Sequence, residues 1–73
     1  MTESVFVRIF DEDGSMLRPV PAENLGNLKF RLLEPPEGYD QLVEEWEFPP
    51  GTVVECRIGW KDHPDIIIAL RRA

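Results

Sequence analysis

The 73-residue chain has few cysteines and no long apolar run, and each shortage excludes a class of protein. The single cysteine, Cys56, cannot form an internal disulfide, whereas small secreted domains usually carry several. The longest apolar run, residues 66–70, is too short to span a bilayer. Residues 1–4 show no basic segment leading into an apolar one, so no secretory signal is expected. The sequence therefore predicts a single cytoplasmic domain over residues 1–73.

Cations are also scarce, because 8 lysines and arginines face 14 aspartates and glutamates, for a net charge of −6. Binding to phosphates or to anionic lipid needs clustered cations, so this balance counts against a nucleic-acid binder and a membrane-surface protein. An acidic surface can instead steer a basic protein partner, or it can simply keep a small protein soluble. Residues 32–56 contain no cation and seven carboxylates, Glu34, Glu37, Asp40, Glu44, Glu45, Glu47 and Glu55.

Residues suited to catalysis or metal binding are too few to form a site. His63 and Cys56 each occur once, whereas a tetrahedral metal site takes three or four ligands. The acidic segment at residues 11–14 lacks the first aspartate of a calcium loop, because Ile9 occupies that position. We therefore expect no catalytic residue, no cofactor and no metal, and the sequence favours a non-catalytic protein.

Short alternating apolar runs, separated by turn residues, dominate the chain. Seven prolines leave no long window for a helix, and we predict strands within residues 5–10, 16–18, 28–32, 42–48, 52–60 and 66–70. A strand glycine, Gly59, predicts a bulge or a close backbone approach, and residues 22–27 are interpreted as one short helical turn. Alternation predicts these inward residues: Val5, Val7, Ile9, Leu28, Phe30, Leu32, Trp46, Phe48, Val54, Cys56, Ile58 and Trp60.

Five or six short sequential strands predict an all-β fold, a small antiparallel barrel or a curved sheet. Residues 48–54, Phe-Pro-Pro-Gly-Thr-Val-Val, resemble the segment that leads into a strand in many small SH3-like barrels. A five-stranded SH3-like barrel is the preferred architecture. The alternative is an α+β fold in which residues 20–27 or 39–47 form one short helix on a face of the sheet.

Two candidate surfaces emerge from the same pattern. The first is an interaction surface that combines carboxylates with possible aromatic anchors, although both tryptophans would also suit a core: Glu44, Glu45, Glu47, Tyr39, Trp46 and Trp60. The second is an apolar face opposite the inward residues, which barrel closure, a loop or a second copy of the chain could cover: Phe6, Phe10, Val43, Val53 and Ile67.

The functional expectation is a small binding module for an unidentified, basic protein partner. One alternative is a small-molecule-binding protein with its pocket at a homodimer interface. Another is a nucleic-acid-binding barrel that combines exposed aromatic residues with cations, namely Phe6, Arg8, Phe10, Lys29 and Arg31.

Overall fold

The computed structural model of the protein describes residues 2–11, 14–40 and 45–73. These residues form strands and connecting turns, with no helix among them, so the described chain contains no helix that could cross a membrane. Its strands are β1 (Thr2–Asp11), β2 (Gly14–Gly26), β3 (Lys29–Leu32), β4 (Glu45–Trp46), β5 (Val53–Trp60) and β6 (His63–Arg72).

Strand pairing closes a five-stranded barrel, which confirms the all-β prediction and is consistent with a small SH3-like barrel. The pairs β1–β2, β2–β3, β3–β5 and β5–β6 are antiparallel. Closure comes from a parallel pair between β1 and β6, where Phe6 lies opposite Ile68. The extra strand β4 pairs with the end of β1, with Trp46 opposite Ile9. Residues 12 and 13 lie outside the described residues, and Asp11 and Gly14 on either side of them are paired.

The core follows the predicted alternation over most of the chain. Val5, Val7 and Ile9 face inward from β1, as predicted. The other core residues come from every remaining strand and from the segment after β4: Val20, Ala22, Phe30, Leu32, Trp46, Phe48, Val54, Cys56 and Ala69.

The course of β2 differs from the prediction, which ended the strand at Pro19 and placed a helical turn at residues 22–27. The strand instead continues through Pro19 and Pro21 to Gly26. The Pro21 carbonyl accepts a hydrogen bond of 2.9 Å from the Leu33 amide, so Pro21 directs its backbone groups away from β1. Pro19 faces the same edge, because residues two apart in a strand share an edge. The two prolines lack an N–H only on the edge that faces away from β1, so the hydrogen bonds between β1 and β2 are not interrupted.

Leu28 was wrongly predicted to face inward. It lies with Asn27 in a two-residue loop between β2 and β3, and it is 42% exposed. The φ angles of Asn27 and Leu28 are 57° and 61°, and two positive φ angles in a two-residue loop define a type I′ hairpin turn. The turn conformation therefore directs Leu28 away from the inward face that apolar–polar alternation predicts, one residue before β3 begins.

Ile58 was also wrongly predicted as a core residue, and it is 61% exposed. The β3–β5 register extends only to Glu55, so Ile58 lies beyond the closed part of the barrel. The β5–β6 register shifts between Ile58 and Trp60, and Gly59 has a φ of 94°. The bulge predicted at Gly59 is confirmed, and it places Trp60 in a partly buried position outside the core.

The second apolar face needs one correction, because Ile67 packs against the core and Ala69 belongs to it. Ile68, between them, is buried on the other face beside Phe6. Alternation could not assign these faces, since residues 66–70 are all apolar. Of the other predicted members, Phe6 and Val53 are partly buried, Phe10 is exposed, and Val43 lies outside the described residues.

Replacing Leu28 with glycine is expected to raise the free energy of unfolding by about 0.5–1 kcal/mol. A left-handed conformation costs an L-residue about 1–2 kcal/mol, and the entropy lost by glycine offsets about half of this gain. Urea unfolding measures the change. The control is Leu25→Gly, since Leu25 is similarly exposed but has no positive φ, and it should lose stability. A Leu28→Gly protein no more stable than the wild type would contradict the assigned turn.

Candidate functional site

The candidate site lies where the β1–β2 hairpin extends past the end of β3. β3 pairs with β2 only from Ala22 to Gly26, so the earlier part of β2 continues beyond it. The chain then passes from β3, beside β2, to β4, beside β1. Tyr39, on this connection, packs against the core. Residues 33–40 therefore cross the inner face of the hairpin.

This crossing creates a groove of about 240 Å³, here called the Tyr39 groove. The Tyr39 and Trp46 rings lie 4.7 Å apart between centroids, with their planes at 55°. The Tyr39 hydroxyl accepts a hydrogen bond of 3.2 Å from the Trp46 amide, which fixes the position of the tyrosine. The groove is lined by Arg18, Pro35, Glu37, Gly38, Tyr39, Asp40 and Trp46.

A tight turn presents Tyr39 to the groove. The Gly38 amide donates to the Pro35 carbonyl at 2.8 Å, with Pro36 and Glu37 at the central positions. Proline second and glycine fourth is a frequent combination in β-turns. The Glu34 carboxylate also accepts a hydrogen bond of 3.3 Å from the Tyr39 amide. The Pro-Pro-Glu-Gly sequence indicates this turn, although not the groove.

Arg18 reaches the groove from β2. It pairs with Val7, a core residue, and cross-strand partners share a face, so Arg18 also belongs to the inner face. Its guanidinium lies 3.7 Å from the Glu37 carboxylate. Arg18 and Glu37 are distant in sequence, and no local signal links them. The sequence therefore does not predict this contact, nor that Glu37 and Asp40 line the same groove.

The predicted interaction surface is divided between two faces of the hairpin. Glu45 pairs with Phe10, so it lies on the outer face, whereas Tyr39 and Trp46 lie on the inner face. Glu47 also reaches the outer face, where Arg8 Nε and Nη2 each donate to one of its carboxylate oxygens at 2.9 Å. A bidentate pair of this kind is strong and geometrically specific. Glu44 lies outside the described residues.

Trp60 lies at the other end of the barrel. β6 runs parallel to β1, and His63, its first residue, pairs with Trp60, so the β5–β6 turn lies near the start of β1. The groove is near the end of β1. Lys61 Nζ lies 5.5 Å from the centroid of the Trp60 ring, a cation–π distance. Trp60 therefore does not share a surface with Tyr39 and Trp46.

The candidate nucleic-acid residues do not form a concentrated cationic patch. Arg8 is engaged by Glu47, and Arg31 donates a hydrogen bond of 2.7 Å to Glu23. Lys29 lies opposite Glu55 in the β3–β5 register. The carboxylates paired with Arg8 and Arg31 reduce the attraction of these two cations for phosphate.

Cys56 and His63 are separated by their surroundings. Burial in the core raises the pKa of the Cys56 thiol from 9.0 to about 11, so little thiolate forms at neutral pH. His63 is exposed in the β5–β6 hairpin. Across residues 2–11, 14–40 and 45–73, no three His, Cys, Asp or Glu side chains are grouped to hold a metal ion.

Comparisons with protein-family models, with curated proteins and with solved structures give no match to this chain.

Proposed function

We propose that the protein is a small, non-catalytic interaction module whose Tyr39 groove binds a basic segment of a partner protein. The observation that carries this proposal is the meeting of two ordered aromatic rings, Tyr39 and Trp46, with the carboxylates of Glu37 and Asp40 in one open groove. The lone, buried cysteine is compatible with the reducing cytoplasm, which we propose as the location.

The aromatic residues supply apolar contact area that is already ordered. Tyr39 is held by its hydroxyl, by its amide and by the Trp46 ring. A preorganised surface loses little conformational entropy on binding, so more of the contact energy appears as affinity. The aliphatic part of a lysine or arginine can pack on such rings while its charge stays near the rim.

The surrounding charge favours a cationic occupant. Arg18 is the one cation that lines the described groove, and Glu37 lies beside it while Asp40 adds a further carboxylate. The net charge of −6 extends the attraction beyond the contact itself. Such steering raises the association rate of a basic partner, and added salt weakens it.

The size of the groove favours a peptide over an enclosed metabolite. Small-molecule pockets usually occupy about 300–1,000 Å³ and surround most of the ligand. At about 240 Å³ the groove suits one or two side chains of an extended chain. A pocket completed by a second copy of the chain remains an alternative prediction.

The test compares three variants that each remove one negative charge. The probe is an acetylated, amidated seven-residue peptide of alternating lysine and valine, and calorimetry measures its affinity. Glu37→Gln, in the groove, is expected to weaken binding about 3- to 10-fold through lost local attraction. Glu45→Gln on the outer face and Asp65→Asn in β6 are the controls. Both should weaken peptide binding by a similar amount, which is smaller than the loss for Glu37→Gln.

Equal losses in all three variants would indicate attraction by net charge alone, and they would contradict the groove as the binding site. A peptide in which glutamate replaces lysine measures the contribution of charge sign. If the wild-type protein binds the two peptides equally, or binds neither, the proposed function is wrong.

A further inference from the structure

We propose that the partner segment binds as an added β-strand along the open edge of β2, with alternate side chains entering the Tyr39 groove. This inference rests on the proposed function and specifies how the basic segment is held. In this mode, main-chain hydrogen bonds supply affinity, and side-chain pockets supply selectivity.

The open edge is the part of β2 that β3 leaves uncovered. The β1–β2 register is uninterrupted from Glu23 to Gly14, so backbone direction alternates regularly along it. Leu33 donates to the Pro21 carbonyl, which marks the edge facing away from β1. Ser15, Leu17 and Pro19 direct their backbone groups to that same edge. Within the described parts of the chain, no backbone hydrogen bond reaches them there.

The route of the chain explains why this edge is open. A longer β3 would have paired with Pro19 and Leu17, but the chain turns away after the Leu33–Pro21 hydrogen bond and enters the turn of residues 35–38. An added strand would therefore lie beside the part of β2 that a longer β3 would have paired with. Arg18, between Leu17 and Pro19, lines the groove. Inward side chains of the added strand would enter the groove beside it.

The edge also limits the length of the pairing. Ser15 and Leu17 each offer an N–H and a C=O, whereas Pro19 offers only its C=O. An added strand can therefore pair fully along Ser15 and Leu17, and its pairing weakens at Pro19. A short extended segment of a partner fits this edge better than a long strand.

Charge selects a basic segment over a second copy of this chain. Pairing of two β2 edges would bring together two proteins that each carry a net charge of −6. Each would also place Glu37 and Asp40 near the shared edge. A segment that alternates lysine with apolar residues satisfies the same backbone groups without this repulsion.

The decisive variant is Leu17→Pro, tested with the alternating lysine–valine peptide. The substitution removes the N–H that faces the open edge. A proline at this position, like Pro19 and Pro21, should leave the hydrogen bonds between β1 and β2 intact. We expect at least about ten-fold weaker binding, because a peptide carbonyl loses its donor and the proline ring obstructs the edge. Leu17→Ala keeps the N–H and should bind within about two-fold of the wild type. Unchanged binding by a folded Leu17→Pro protein would overturn the proposal.

Two measurements on the wild-type protein avoid any dependence on folding of the variant. N-methylation of one alternate set of peptide amides should abolish binding, while methylation of the other set should not, because only one set faces β2. Equal effects would overturn strand addition. The Leu17 amide should exchange rapidly in the free protein and slowly with peptide bound, whereas the Arg18 amide, facing β1, should be slow in both states.

The outcomes separate this inference from the proposed function. If Glu37→Gln weakens binding but Leu17→Pro does not, the segment lies in the groove without pairing, so strand addition is wrong and the proposed function stands. If the lysine peptide does not bind, both are wrong. A dimer in sedimentation that Leu17→Pro dissociates would show that a second copy occupies the edge and would overturn the proposal.

Discussion

Replacing Phe30 with alanine is expected to lower the free energy of unfolding by about 3–5 kcal/mol, the usual cost of emptying a large aromatic site in a core. Phe30 is 2% exposed. It lies at the centre of β3, between Asn24 of β2 and Val54 of β5. Truncation of the side chain therefore leaves a cavity in the core where β3 lies between β2 and β5. Urea unfolding followed by circular dichroism measures the loss.

The control is Leu28→Ala, two residues earlier. Simple alternation predicts that Leu28 and Phe30 share the inward face, but Leu28 occupies the exposed turn. We expect the Leu28→Ala change to cost less than about 1 kcal/mol. Phe30→Leu, which keeps an apolar side chain, should show an intermediate loss if the alanine variant is too unstable to measure. Similar losses for Leu28→Ala and Phe30→Ala would contradict the assigned ends of β3.

Replacing Trp46 with alanine is expected to cost about 3–5 kcal/mol, because Trp46 belongs to the core and also supports the groove. The side chain is 4% exposed, and its ring packs against Tyr39. Removing it loses the buried area and the aromatic contact together. Thermal and urea unfolding measure the loss, and Trp46→Phe should recover a substantial part of it.

The other tryptophan provides the matched control. Trp60 is partly buried and lies outside the core, so Trp60→Ala should cost about 1–2 kcal/mol. A loss for Trp60→Ala equal to that of Trp46→Ala would show that the two rings are buried to the same extent. That result would contradict the assignment of Trp46 to the core and of Trp60 to a position in the β5–β6 hairpin outside the core.

The groove is therefore an extension of the core and not an independent loop. Trp46 faces the barrel interior, and the segment that carries Tyr39 is tied to it by a ring contact and a hydrogen bond. A site supported by core packing keeps its geometry without a ligand. Substitutions intended to test binding should consequently be made at Glu37 or along the edge at Leu17, where the core is not disturbed.

Local alternation predicted the inward residues well where strands are regular and flanked by polar residues. Phe30 and Leu32 illustrate this success, because both are buried and alternate with exposed basic residues of β3. The prediction failed at Leu28, where turn conformation intervenes, and at Ile58, which lies past the closed barrel. It also failed for Ile67, since an apolar run offers no polar residue to mark its outer face.

The candidate site was only partly predictable. Tyr39 and Trp46, both predicted as aromatic anchors, line one groove, but Trp60 lies at the other end of the barrel. Residues 32–56 contain no cation, but two of their carboxylates form ion pairs with Arg8 and Arg18 of the β1–β2 hairpin. These contacts join residues distant in sequence, so neither spacing nor composition indicates them.

By itself, the sequence determined the strand-rich class, most of the core residues and the uneven distribution of charge. These properties follow from local backbone geometry, turn residues and composition. Tertiary structure alone decided that β6 closes the barrel in parallel with β1 and that β3 leaves part of the β2 edge uncovered beside the groove. The physical reason is that strand pairing is non-local: alternation determines which side chains share a face, but the path of the whole chain determines which backbone edges meet.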